Sequence, residues 1–412
     1  MERQMKDSGI EWFGMIPYEW EIVQVKRLFK LGRGRVIATT ELSDKGYPVY
    51  SSQTKNKGIL GYIDTYDFDR SQLTWTTDGA NAGTVFLREG KHNCTNVCGT
   101  LMPYTMGNNL KYLKYILEYT AIFHKRADIN GYKIMNNEMA DIHIVLPDQD
   151  SQDSIATYLD EQCNRIECIL EKTRASIEEY KKLKQSVITQ AVTKGIRSDR
   201  EMKDSGVEWI GEIPAEWEER RIKTLFTLRD EKNFSPLEEV NLISLYTDLG
   251  VVQHSELEKT TGNKASNADG YKMVYTDDIV VNIILCWMGA IGRSEYNGVT
   301  SPAYDIYIPQ SGVLSKFYHY YFRTKGFSGD CYKRGKGIMA MRWRTYSDQF
   351  RDIKVVYPPL EEQQEIVTYL EQKCSAIDDL IAKKEQYFSE IENYKKSLIY
   401  EYVTGKKEVP QE

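Results

Sequence analysis

No stretch of this chain comes near the run of about eighteen apolar residues that a membrane span requires. Its opening, Met1 to Trp12, is too polar for a secretory signal. A cytoplasmic location without membrane contact is therefore expected. Cysteine is sparse and unpatterned: of seven, only Cys94 and Cys98 fall near each other, so neither a disulfide framework nor a zinc site is indicated and the cysteines read as buried thiols. The five histidines, His92, His124, His143, His254 and His319, have no metal-ligand spacing, and no metal or cofactor is expected. What the chain does have is length and apolar content. With 412 residues, 41% of them hydrophobic, it exceeds one ordinary core and points to two or more domains.

The net charge of -6 argues against a nucleic-acid partner until it is resolved along the chain. Residues 356–412 hold 7 basic and 12 acidic residues, which accounts for most of the acidic surplus. Between Arg323 and Lys354, nine basic residues face only Asp330, Asp348 and Asp352. Local sign governs partner choice more than the sum does.

The chain also repeats itself. Met202 to Phe226, "MKDSGVEWIGEIPAEWEERRIKTLF", matches Met5 to Phe29 at 16 of 25 positions. A second pair, offset by 211, relates the segment from Val145 to that from Val356: Pro147 falls on Pro358, Ile155 on Ile366, Leu159 on Leu370 and Cys163 on Cys374. After these prolines, apolar residues recur at three and four (Ile155, Leu159, Ile166, Leu170, Ile177 and their counterparts), the mark of two long coiled-coil helices. The blocks between repeats, Lys30–Ile144 and Thr227–Val355, show little likeness to each other. They are rich in short β-type runs such as "GTVFL", "MADIHIVL", "DDIVVNIIL", "PAYDIYI" and "FRDIKVV".

The expected fold is α+β. Two globular mixed α/β domains are joined by two long antiparallel helices in a coiled coil, with internal pseudo-two-fold symmetry. The expected boundaries are 1–146 for the first globule, 147–196 for its helix, 197–357 for the second globule and 358–412 for the second helix and tail. Such an order makes the repeats a frame and the divergent blocks its readers.

These segments resemble the specificity subunit of Type I restriction-modification systems. "SGIEWFGMIPYEW" and "SGVEWIGEIPAEW" look like that family's domain openings, and "PPLEEQQEIVTYL" like its helix start. "DGANAGTVFLREGKHNCTNVCGTL" and "WMGAIGRSEYNGVTSPAYDIY" look like cores of its target recognition domains. The resemblance spans essentially the whole chain and departs at "PDQDSQDSIATYL" in the first helix start. It implies a DNA-binding subunit with no reaction of its own. Each recognition domain would read half of a split double-stranded target, the helices would set the gap, and the frame would hold two methyltransferase subunits that recruit the restriction (motor nuclease) subunits.

Backbone contacts to DNA need Lys and Arg, and base reading adds Asn, Gln, Ser and Thr. In the second reader "YKRGKGIMAMRWRTY" offers Lys333, Arg334, Lys336, Arg342 and Arg344 among aromatics. The first reader offers Lys55, Lys57, Asn81, Arg88, Lys91, Lys125, Arg126 and Lys133. The repeated Trp12, Trp20, Trp209 and Trp217 are candidate partner anchors. Two other classes stand beside this one. Asp78 with Glu89, Gly90 and Lys91 imitates the acidic pair and lysine of a metal-dependent nuclease, and paired globules also suit a non-DNA scaffold. "LGRGR" at Leu31 is a lone G-x-G with no N-P-P-[FY]-type catalytic tetrad anywhere in the chain, and "GKGIMAMR" lacks the ending of a phosphate loop.

Overall fold

The computed structural model describes residues 3–105, 107–129, 131–254, 267–337 and 343–410. Both long helices are present, Gln149–Lys194 and Leu360–Val403. At 1.5 Å per residue they are roughly 65–70 Å long. The chain divides into two compact units whose boundary falls inside both helices: Met1–Arg174 with Glu385–Glu412, and Ala175–Lys384.

Within each unit the helix segments run antiparallel. In the first, Glu167 meets Lys395 and Arg174 lies over Phe388. In the second, Lys184 meets Asp378 at 2.6 Å and Lys384 lies over Tyr180. The seam residues predicted from spacing are buried where the helix segments also cover a globule: Ile155, Leu159, Ile166 and Leu170 in one core, and Ile366 and Leu370 in the other.

The two variable blocks, unlike in sequence, are built on the same sheet. In the first unit four antiparallel strands run in the order Phe29–Arg33, Cys98–Pro103, Gln72–Thr76, Val85–Arg88. In the second the order is Phe226–Leu228, Tyr304–Pro309, Ile279–Asn282, Ile291–Arg293. Alternation turns Leu73, Trp75, Val85 and Leu101 toward the first core and Ile279, Val281, Ile291 and Tyr307 toward the second. A helix covers each core face: Leu110–Thr120, capped by Asn109, and Ser315–Phe322. The run "MADIHIVL" begins inside helix Asn136–Asp141 and becomes strand only at His143. "FRDIKVV" likewise begins in helix Ser347–Arg351 and turns to strand at Lys354. Six cysteines are buried and Cys168 is exposed, against expectation.

Duplicated contacts fasten each globule to its helices. Gln152 donates to Pro147 O at 2.9 Å and accepts from the Asn109 amide; Gln363 donates to Pro358 O at 2.8 Å and accepts from the Leu314 amide. Tyr112 donates to Val145 O and Tyr318 to Val356 O. Each long helix ends at a left-handed glycine, Gly195 (φ 74°) and Gly405 (φ 70°), where the missing Cβ lets the chain turn back over an indole. Gly195 lies against Trp217 and Gly405 against Trp20. Beside them Lys194 donates to Glu212 O and Lys406 to Met15 O.

Candidate nucleic-acid interface

In the first unit the structure gathers four predicted residues from two distant stretches of sequence. Strand Tyr47–Tyr50 leads into a turn at Lys55–Gly58 whose Asn56 and Lys57 have φ of 50° and 52°, followed by Gly58 at 82°. Left-handed backbone costs an ordinary residue about 1–2 kcal/mol, so this turn must be held from outside. Asn81 supplies one tie, its Nδ2 donating to Thr54 Oγ1 at 3.1 Å. Arg88 supplies another, its Nη1 donating to Lys57 O at 2.7 Å. The result presents Lys55 and Lys57 to solvent, and neither has an ion-pair partner among the described residues.

Arg88 departs from its predicted role of direct contact. It is 4% exposed, with Nε donating to Thr74 Oγ1 at 3.1 Å and the guanidinium 3.6 Å over Tyr50 and 4.2 Å from Phe86. Burial pushes its pKa down. Alternation along "VFLR" pairs Arg88 with Phe86 on the sheet face away from the apolar core, a signal the sequence held. The supporting Tyr50, Thr54 and Thr74 were not foreseen.

A second group adjoins along the loop from Asp78 to Ala82. Strand Gly131–Lys133 pairs with Asp78–Gly79, and Lys133 reaches Asp78 at 3.2 Å and Asp128 at 3.0 Å. Those carboxylates raise its pKa, Asp128 most. Arg126 is held by Glu138 at 2.7 Å, and Lys125 lies over Tyr132. Lys91 stands apart, over Tyr66 and Tyr47, which raise its pKa. Of the nuclease-like acidic pair and lysine, Asp78 is engaged with Lys133 and Lys91 with the tyrosines, and among the described residues no cluster of three or more His, Cys, Asp or Glu could hold a metal ion. "LGRGR" is largely strand rather than a loop.

In the second unit, helix Lys325–Arg334 carries Lys333 and Arg334 in its last turn, where cations complement the helix dipole. Both are paired, Lys333 with Glu208 at 2.7 Å and Arg334 with Asp352 at 3.4 Å. Glu208 raises the Lys333 pKa. Beyond the helix an antiparallel bridge joins Lys336 and Arg344. Trp343 closes its base, stacked on Tyr332 at 4.9 Å and donating to Tyr332 O. Lys336 is exposed and Arg344 half-buried, and neither side chain is ion-paired among the described residues. Arg342 lies outside the described residues.

Two of the four repeated tryptophans are fully internal. Trp20 is 1% and Trp217 0% exposed, so both are withdrawn as surface anchors. Trp217 donates to Glu362 at 2.8 Å, and Glu362 also takes Arg200. Trp20 occupies the matching place under Arg3, its Nε1 without a hydrogen-bond partner among the described residues. Trp12 is half-buried on Phe123, and Trp209, also half-buried, donates to Asp330 at 2.6 Å, fixing the basic helix.

Comparison with known proteins agrees with this duplication. The family model described as Type I restriction modification DNA specificity domain matches residues 17–179 and again 214–390. A putative type I specificity subunit N-terminus of Mycoplasma pneumoniae is 37% identical over 139 residues, covering 33% of this chain and 74% of the relative. A putative type I restriction enzyme specificity subunit of Methanocaldococcus jannaschii is 26% identical over 435 residues, 95% of each chain. A chain solved in work on complex assembly and conformational transition of the type I R-M system shares the fold, with a TM-score of 0.66 and 11% identity over 95% of this chain and 99% of that one. With two matched regions that together span most of its length, the chain belongs to the Type I restriction modification DNA specificity family.

Proposed function

We propose that this chain is the DNA specificity subunit of a type I restriction-modification complex and reads a split, asymmetric double-stranded target. One observation carries the reading: the same sheet and helix frame is built twice, and each copy bears its own set of exposed cations on loops that share no sequence. Equivalent frames suit equivalent engagement of two half-sites, as protein symmetry matches operator symmetry in dimeric repressors. Unlike loops make the halves unlike. The paired long helices would fix the number of unread base pairs between them, and their duplicated surfaces would seat two methyltransferase subunits, through which restriction subunits join. We assign the chain no reaction of its own and a cytoplasmic place of action; among the described residues no helix is long and apolar enough to cross a membrane.

The test is to map methylated adenines across the genome of a host with and without this chain. A split motif with two different halves and a constant gap should appear only when the chain is present. No chain-dependent motif, or a symmetric one, would defeat the proposal. Magnesium-dependent cutting by the purified chain, abolished by Glu89→Ala, would favour the nuclease reading instead.

A further inference from the structure

We infer that Arg88 is the positioning residue of the first reader: held inside the globule, it sets the left-handed turn Lys55–Gly58 in the shape that recognises one half of the DNA target. This rests on the DNA-reading assignment above.

The residue is an unusual investment for a protein interior. No carboxylate pairs with it among the described residues, and its Nη2 has no protein partner. A buried unpaired charge is costly, and the sheet does not need one to be covered. In the second unit the corresponding face is closed by Val280, Ile306, Ile243, Leu245 and Val274. What the buried guanidinium accomplishes locally is fixation of the turn. Its Nε is tied to Thr74 on the central strand, its plane lies on Tyr50, and its Nη1 holds Lys57 O. Gly58 completes the lock: a Cβ there would stand 2.8 Å from Nη2 and 3.2 Å from Gln53 O. The Ser51 amide donates to Gly58 O at 3.0 Å, closing the loop from the other side. A rigid shell under a recognition loop is what base discrimination demands, because misplacement by about 1 Å forfeits a directional contact.

The experiment selects duplexes from a random-sequence library with the full chain, co-produced with the methyltransferase subunit, and sequences the bound fraction. Arg88→Lys keeps the charge and loses the fork. It should cut base preference in one half-site by about 5- to 150-fold, leaving the other half and the slope of log affinity against log salt unchanged. Lys55→Ala with Lys57→Ala should do the reverse, lowering that slope by about 1–2 and weakening all sequences alike. General destabilisation would reduce both halves together. If Arg88→Lys does not fold, Gly58→Ala perturbs the same turn from the other side and should give the same one-sided loss. Unaltered preference in the folded variant, or a fall in the salt slope like that of the lysine pair, overturns the inference. If the unsubstituted chain enriches no sequence at all, the DNA reading itself fails, and this inference with it.

Discussion

The two globules share one sheet and differ in what lies on its outer face. In the first, Gln72, Thr74, Arg88 and Thr100 line that face, with His92 and Asn93 buried nearby. Gln72 meets the His92 ring at 2.9 Å, while Gln72 Oε1 and Thr100 Oγ1 find no partner among the described residues. In the second, Val280 stands where Thr74 stands and Ile306 where Thr100 stands, within a small apolar cluster. The core face is apolar in both. The polar-to-apolar difference therefore lies in the layer that supports the exposed loops, while the layer joining the helices keeps its apolar character. A polar layer can carry a directional support such as Arg88, whereas an apolar one is more stable and leaves loop geometry to other devices, here the Trp343–Tyr332 stack and the bridge beside it.

The comparison is broken most sharply at the frame. Trp217→Ala should cost the second unit about 3–5 kcal/mol, seen as loss of one of two unfolding transitions in denaturant. Trp20→Ala should cost the first unit less, by about 1–2 kcal/mol, because its Nε1 surrenders no hydrogen bond. Equal losses would mean that the Glu362 contact contributes nothing.

Within the second layer, Val280→Thr should destabilise the second unit by about 1–3 kcal/mol, since a hydroxyl there meets only apolar side chains. A pH-dependent difference is expected at His319. Burial, helped by Arg323 and Arg293, pushes its pKa down to about 3, against about 6.5 in an unfolded chain. The unfolded state then binds the proton first, so the contribution is present above about pH 6.5 and is lost as pH falls toward 3, by up to about 1.4 kcal/mol per pH unit. His319→Gln should flatten that slope in the second unit's unfolding, and an unchanged slope would place the titration elsewhere. The smallest effect is expected from Thr100→Val in the first unit, neutral to about 1 kcal/mol stabilising, because the hydroxyl it removes is unpartnered. A clear loss of stability would show that this hydroxyl is satisfied in solution.

The helices were legible in the sequence because their seam repeats at three and four over many turns and does so twice, so that Ile155, Leu159, Ile366 and Leu370 announce themselves. The shared sheet was not. Its strand order joins Phe29–Arg33 to Cys98–Pro103 and Phe226–Leu228 to Tyr304–Pro309, pairings across long intervals that no local pattern encodes. Its core positions also hold different residues in the two copies, Trp75 against Val281 for example. The cations Lys55, Lys57 and Lys336 are exposed in turn and loop segments, but composition has no means of telling an arginine at a strand end that faces water from one, Arg88, that faces a tyrosine. The tryptophans misled for a related reason: a residue repeated with its surroundings marks whatever the frame requires, and here the frame requires helix ends to be seated.

Val403 O accepts from Tyr112 at a separation of 291 residues, and Leu398, Ile399 and Tyr402 complete the core that Phe13 begins. A ribosome must therefore deliver nearly the last turn of helix before the first globule can close, whereas the second has all its parts once Lys384 has emerged. Loss of the helix from Leu398 onward would therefore open the first unit's core while leaving every residue of the second unit in place.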